Sequence, residues 1–263
     1  MKFKQKYKIF KRPIQQTISS SAEEHYSNYM YNSSSFFVRY YAYLPFIHSL
    51  KNVDITKRFR ILDLGCADGP FLPTLNYYAK NNVAIDISEG LIRGANTLVK
   101  EKGNNLSNIS LLCSDGHFLP FKNEKFDLIF CLEVLEHVKS PKLVLIDINR
   151  VLKKGGTLIC TLPVEIGPSL LIRTIIRKLL NFKRPDYSLK EYIRSVILKK
   201  PGKRPEYSGF KEYIGEKGHK NFDWRVINKE INNIFENVSI KFIPINRLRE
   251  INPLVLIKAI KNK

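Results

Sequence analysis

A short apolar run, Ile61-Leu62-Asp63-Leu64, enters the turn Asp63-Leu64-Gly65-Cys66-Ala67-Asp68-Gly69 and leaves it at Pro70. The run has strand character, and proline suits the first turn of a helix opening near Pro70. A glycine turn between strand and helix sits at the carboxyl end of the strand, where open α/β sheets bind their ligands. The spacing is G-x-A-x-G, one residue shorter than the G-x-G-x-x-G of dinucleotide sites. Two acids, Asp63 and Asp68, flank the turn. A pyrophosphate at a helix N-terminus wants N–H donors and no carboxylates beside it, so the acids argue for a cationic ligand.

Downstream, strands and helices alternate. A second strand, Val83 to Ile87, precedes a helix that Ser88 can cap, with Leu91, Ile92, Ala95, Leu98 and Val99 on one face. Further strands are expected at Ile109–Cys113, Phe126–Leu132 and Thr157–Leu162. A helix from Pro141 to Leu152 should stop at Gly155-Gly156. Five near-continuous apolar strands with helical crossovers imply a parallel sheet buried on both faces. Asp86 closes the second strand and can accept from both hydroxyls of a ribose; Asp115-Gly116 follows the third and can accept from an adenine amino group. S-adenosylmethionine, with a sulfonium and an ammonium, explains acids at successive strand ends better than a dinucleotide does.

The 263 residues carry 44 Lys+Arg against 24 Asp+Glu, for +20 overall, and 44% are hydrophobic, which is ample for a core. Residues 1–60 contribute +8, residues 61–162 are neutral and residues 163–263 contribute +12. A neutral middle with basic flanks points to chemistry in the middle and an anionic contact at the edges. No apolar run reaches 18 residues, and the basic N-terminus lacks the apolar stretch of a secretory signal, so a cytoplasmic protein is expected. Cys66, Cys113, Cys131 and Cys160 share no CxxC spacing and read as small buried hydrophobes. The histidines are scattered, and no metal cluster is expected.

The pieces DLGCADG, AIDIS, SDGHFLPFKNEKFDLIFCLEVLEHV and LKKGGTLICTLP, in this order over residues 60–162, resemble the class I S-adenosylmethionine-dependent methyltransferases of the UbiE/UbiG-like (type 11) group. The resemblance implies a Rossmann-like, seven-stranded, mostly parallel sheet with an antiparallel last strand and helices on both faces. Residues 238–260 would supply strands six and seven, Val238–Ile245 and Leu254–Ile260. The pattern along the chain divides it into four regions: an N-terminal helical cover (1–59), the cofactor-binding core (60–162), a basic variable insertion or lid (163–222), and a last crossover helix with two strands (223–263). Asp63, Gly65, Cys66, Gly69, Asp86, Ile87, Asp115, Gly116 and Leu132 are the residues expected to hold S-adenosylmethionine. Ala67 departs from the family, which usually has glycine there.

Methyl transfer is an in-line displacement, so the protein mainly aligns the reactants. A hydroxyl acceptor also benefits from a general base. His219, where the insertion returns to the sheet, is the leading candidate; Glu133 and His137 of Leu132-Glu133-Val134-Leu135-Glu136-His137 are the others. Phe118, Leu119 and Phe121 are candidates to wall the adenine, with aromatic core as the alternative. The aromatic spacing Phe36, Phe37, Tyr40, Tyr41, Leu44 reads as core under a leading helix. In residues 169–180, Ile172, Ile175, Ile176 and Leu179 share one face and Arg173 and Arg177 another. Such a helix packs as a lid on its own domain or rests on an anionic bilayer as a peripheral contact. A small-molecule, glycan or lipid-linked acceptor is therefore expected, with the methylated atom left open. RNA is the rival acceptor, since Lys199-Lys200 and Lys203-Arg204 can meet phosphates. A cofactor-binding scaffold without catalysis is the third reading.

Overall fold

The computed structural model describes residues 8–10, 28–101, 106–179, 187–206 and 219–262. Seven strands make one sheet in the order β3-β2-β1-β4-β5-β7-β6. They are β1 Arg60–Leu64, β2 Asn81–Asp86, β3 Ile109–Cys113, β4 Phe126–Leu132, β5 Leu152–Pro163, β6 Glu236–Ile243 and β7 Leu254–Ile260. The pairings from β3 through β5 are parallel, and β7 runs antiparallel to both β5 and β6. The expected Rossmann-like sheet with an antiparallel last strand is therefore present. The strand order reverses between β1 and β4, which puts the topological switch beside the glycine turn.

Alternation along each strand divides the core. Leu62, Leu64, Ile129, Cys131, Leu158 and Cys160 face α5 (Pro141–Val151) and α8 (Trp224–Ile234). Ile61, Leu128, Phe130, Ile159 and Leu256 face α2 (Phe36–Lys51) and α3 (Leu72–Tyr78). α4 (Glu89–Lys100) starts as its sequence promises, with the Ser88 side chain accepting from the N–H of Leu91. The remaining helices are the single turn α1 (Asn28–Tyr31), α6 (Gly167–Leu179) and α7 (Leu189–Val196), with a 3₁₀ stretch at Asn246–Ile251.

Several boundaries move for local reasons. Proline opens α3 as expected, but it is Pro73, one residue inside the helix, rather than Pro70. α5 ends at Val151, and Gly155-Gly156 lies within β5 instead of capping the helix. The glycine pair is held there by Gly155 N–H to Lys261 O at 3.0 Å and Lys261 N–H to Gly156 O at 2.9 Å. β6 starts and ends two residues before the expected limits. Cys113 is exposed, unlike the three buried cysteines, because β3 is a sheet edge.

Two helices turn faces that the sequence left undecided. On α2, Phe36, Phe37 and Tyr40 are exposed, while Tyr43, Leu44, Phe46 and Leu50 are buried. Phe46 stacks on Phe71 with centroids 4.4 Å apart, which fixes the helix rotation. On α6, the arginine face turns inward and the isoleucine face outward: Ile175 is 51% and Leu179 78% exposed, whereas the Arg173 side chain is 11% exposed. Leu180, the last residue of the expected amphipathic segment, lies outside the described residues, as do residues 11–27 of the leading segment and residues 207–218 of the insertion.

Candidate cofactor and acceptor site

The glycine turn is built from its backbone. The N–H groups of Gly65 and Cys66 both donate to Ile85 O, at 2.8 and 2.9 Å, which locks the end of β1 onto β2. Gly65 has φ +78°, and a Cβ there would come within 2.3 Å of Val134, so only glycine lets the chain pass. Ala67 takes φ +49°, a left-handed conformation that suits the glycine usual in the family. Gly69, also left-handed, closes the turn with its N–H on Cys66 O at 3.0 Å.

Carboxylates converge on this turn. Asp86 accepts the N–H of Ala67 on Oδ2 at 2.9 Å and that of Ser88 on Oδ1 at 3.0 Å. Burial, opposed by these backbone bonds, still raises the Asp86 carboxyl above its ordinary value. Asp63 is fully buried, and burial together with the charge of Asp86 pushes its carboxyl up to about 7. Asp115 accepts from His117 twice on Oδ1, from the backbone N–H at 2.9 Å and from Nδ1 at 2.6 Å. His117 Nε2 accepts the Ser140 N–H at 3.1 Å, so the ring proton sits on Nδ1 and points at Asp115.

A cavity of about 870 Å³ runs along these strand ends. Every cofactor-side candidate lines it except Gly69: Asp63, Gly65 and Cys66 from the turn, Asp86 and Ile87 after β2, Asp115 and Gly116 after β3, and Leu132 at the end of β4. Gly69 lies behind the turn, where a Cβ would meet Leu72 and Leu98 side chains at 2.9 and 3.1 Å. Asp68 is fully buried and is not among the lining residues; the acid partnering Asp63 at the cavity is Asp86, contributed by the neighbouring strand. Phe118, Leu119 and Phe121 do not line it either. Phe118 is exposed, while Leu119 and Phe121 belong to the core around α5. His117, two residues after Asp115, is a further lining residue, and the Asp-x-His spacing was the available signal.

The far end of the cavity brings together Glu133, His137 and His219. Glu133 has φ +57°, a left-handed conformation for a glutamate, and burial pushes its carboxyl up to about 7 although Arg173 and Thr161 oppose the rise. Glu136 is fully buried; burial and then the Glu133 charge hold its carboxyl well above the usual range. The His137 and His219 rings meet edge to face with centroids 5.1 Å apart. Sequence reading missed three lining residues here, Tyr41, Arg173 and Arg177. Arg173 donates to the Tyr41 hydroxyl at 2.8 Å and lies 2.9 Å from Glu165, whose other arginine, Arg177, is equally close.

S-adenosylmethionine fits this constellation. Asp63 and Asp86 are buried acids raised first by burial, Asp63 then by the charge of Asp86 and Asp86 by that of Asp68, so a cationic ligand relieves them and a pyrophosphate would worsen them. The Asp86 oxygens keep lone pairs beyond their two backbone bonds for ribose hydroxyls, and Gly116 leaves space for close approach beside Asp115.

Comparison with known proteins agrees. Residues 62–160 match the type 11 methyltransferase-domain family. An uncharacterized protein of Methanocaldococcus jannaschii is 34% identical over 54% of this chain and 56% of its own length. The ubiquinone biosynthesis O-methyltransferase of Coxiella burnetii is 32% identical over 37% of this chain and 41% of its own length. The chain thus spans about half the length of the curated relatives it matches first. A crystal structure of a Pyrococcus horikoshii protein shares the fold, with TM-score 0.57 and 19% identity over 92% of this chain and all of that one. Residues 62–160 thus match a methyltransferase-domain family of type 11, and the chain is in part similar to methyltransferases such as the Coxiella burnetii ubiquinone biosynthesis enzyme.

Proposed function

We propose that this chain methylates an apolar or lipid-linked small molecule that enters the cavity from the α2–α6 side. One observation carries the reading: the acid-lined end of the cavity continues into an end walled by Phe37, Tyr40, Ile172 and Ile176, whose apolar faces are exposed. When bound, S-adenosylmethionine supplies an electrophilic methyl group on a sulfonium. Asp63 faces the ammonium, Asp86 the ribose and Asp115 the adenine amino group, while Gly65, Cys66, Gly69, Ile87, Gly116 and Leu132 shape the space between them. Glu133 lines the cavity with its carboxyl buried near Arg173 and Thr161, and shapes the pocket there. His219 takes the proton from a hydroxyl acceptor, and His137 packs against it to hold the ring.

The outward apolar face of α6 does not stand alone. Leu189 and Ile193 on α7, and Ile197 just after it, form an exposed row; α7 packs against α6, and Phe36 and Phe37 are exposed at the start of α2. Lys178, Lys190, Arg194 and Lys200 are exposed beside these residues. Apolar side chains rimmed by cations suit an anionic bilayer, from which a lipid-linked acceptor would pass into the cavity. Among the described residues no helix is long and apolar enough to cross a membrane; the contact proposed is a peripheral one.

The test is transfer of a labelled methyl group from S-adenosylmethionine into a fractionated cell extract. Label in the organic-soluble fraction is the expected result. Label confined to RNA overturns the acceptor class, and no label in any fraction leaves a cofactor-binding scaffold.

A further inference from the structure

Glu165 follows β5, is fully buried and does not itself line the cavity. It nevertheless joins every element at the acceptor end. Arg173 and Arg177 of α6 each place an Nη2 at 2.9 Å from Oε1, and Nδ1 of His219 lies 3.4 Å from the same oxygen. Through Arg173 the connection extends to the Tyr41 hydroxyl on α2 at 2.8 Å and to the carbonyl of Pro253 at 3.0 Å. Burial alone would raise the Glu165 carboxyl; Arg173, His219 and Arg177 overcome it and hold the group anionic, well below the usual carboxylate range.

The groups facing His219 are Glu165 after β5, Arg173 and Arg177 from α6, and His137 after β4. Burial lowers the His219 pKa, the two arginines lower it further, and Glu165 opposes them, so the ring is neutral at pH 7. A neutral imidazole carries one proton, and which nitrogen bears it decides whether the ring can accept another. Nδ1 is buried and makes no hydrogen bond of good geometry, so its 3.4 Å approach to Glu165 is, among the described residues, the one acceptor contact that can select its proton, while the ring is a wall of the cavity.

We infer that Glu165 is a positioning residue: its carboxylate holds the His219 proton on Nδ1 and leaves Nε2 bare toward the acceptor. The inference rests on the reading of His219 as base. When an acceptor hydroxyl forms its bond to the methyl carbon and the sulfur–carbon bond breaks, the hydroxyl proton goes to Nε2. The imidazolium then faces the Glu165 carboxylate until the proton leaves to solvent. Glu165 also anchors α6 through two arginines, so loss of activity alone would not separate positioning from anchoring.

The tautomer does separate them. Protein labelled with ¹⁵N-histidine is saturated with S-adenosylhomocysteine, and His219 is assigned by its loss in His219→Gln. Long-range ¹⁵N–¹H correlation at pH 7 should show the proton on Nδ1. In Glu165→Gln, which keeps an oxygen acceptor and loses the charge, the His219 titration midpoint should fall by about one unit, a tenfold loss of proton affinity. In Glu165→Ala the proton should move toward Nε2. A native His219 protonated on Nε2, or a Glu165→Gln midpoint equal to the native one, overturns the inference. The base reading fails separately, if His219→Gln retains full methyl transfer into the fractionated extract while the tautomer is as stated.

Discussion

The two oxygens of the Asp86 carboxylate accept backbone N–H groups from opposite sides, Ala67 at 2.9 Å and Ser88 at 3.0 Å. One bond fixes the glycine turn after β1 and the other fixes the start of α4, so a single side chain at the end of β2 ties together both walls of the cofactor end. A carboxylate held this way is already oriented for a ribose. Hydrogen bonds to charged groups contribute about 1.5–3 kcal/mol each, and 1.4 kcal/mol is one decade of affinity. Asp86→Ala should therefore weaken S-adenosylhomocysteine binding about a hundredfold by calorimetric titration. An unchanged affinity would remove Asp86 from the site.

Asp63 gives the binding a pH signature. Its carboxyl titrates at about 7 in the free protein because it is buried beside Asp86, and an ammonium at that position favours the ionised form. Below pH 7 the ligand must displace a proton, so affinity should fall by up to about tenfold per pH unit. Above pH 7 it should level off. Titrations in buffers of different ionisation enthalpy should show proton release near pH 6 and little near pH 8. Affinity that rises on acidification contradicts this arrangement.

Without ligand, the same groups set a stability slope of opposite sense. Asp63 and Glu133 both have folded values raised to about 7, so the native state binds more protons than the unfolded chain between about pH 4 and 7. Their penalty is greatest above pH 7 and is relieved as pH falls. Glu165, with a lowered folded value, contributes stability that is retained above its ordinary value near 4.5 and is lost only on further acidification. The urea midpoint of the ligand-free protein should consequently be higher at pH 5.5 than at pH 7.5. The reverse order would mean that the lowered His48 and His219, which favour the unfolded chain as pH falls, outweigh both carboxyls.

Ala67 holds a left-handed conformation at φ +49°, which costs an L-residue about 1–2 kcal/mol and costs glycine nothing. Ala67→Gly should stabilise the fold by about 1 kcal/mol, a rise of about 2–4 °C in Tm. A lower Tm would show that the alanine methyl contributes packing that outweighs the strain.

Exposed Ile175 and Leu179 test the bilayer contact without touching the core. The double variant Ile175→Glu, Leu179→Glu removes two apolar side chains worth about 1.5–3 kcal/mol each on burial. Cosedimentation with vesicles of equal parts phosphatidylglycerol and phosphatidylcholine should weaken at least about tenfold, with S-adenosylhomocysteine affinity unchanged. Native protein that ignores such vesicles contradicts the peripheral contact.

What the sequence disclosed follows from how local each signal is. β1, β3, β4 and β7 are near-continuous apolar runs, and β3, β4 and β7 end where those runs end; for the central parallel strands β1 and β4 the cause is burial on both faces. Asp63, Asp86 and Asp115 were legible because each sits in or just after such a run. The rotation of α6 was not: two stripes on a helix are visible in sequence, but their direction depends on Glu165, an isolated acid whose partners lie 8, 12 and 54 residues further on. Asp68, which with Asp63 flanks the glycine turn in sequence, is buried and does not line the cavity; Asp86, legible at the end of its own strand, does.

The central claim is that buried carboxylates at successive strand ends hold a positively charged adenosyl ligand and not a nucleotide diphosphate. Parallel calorimetric titrations of one preparation with S-adenosylmethionine and with NADH test it most directly. Saturable binding of S-adenosylmethionine with no heat from NADH is the predicted result; binding of NADH with indifference to S-adenosylmethionine would contradict it.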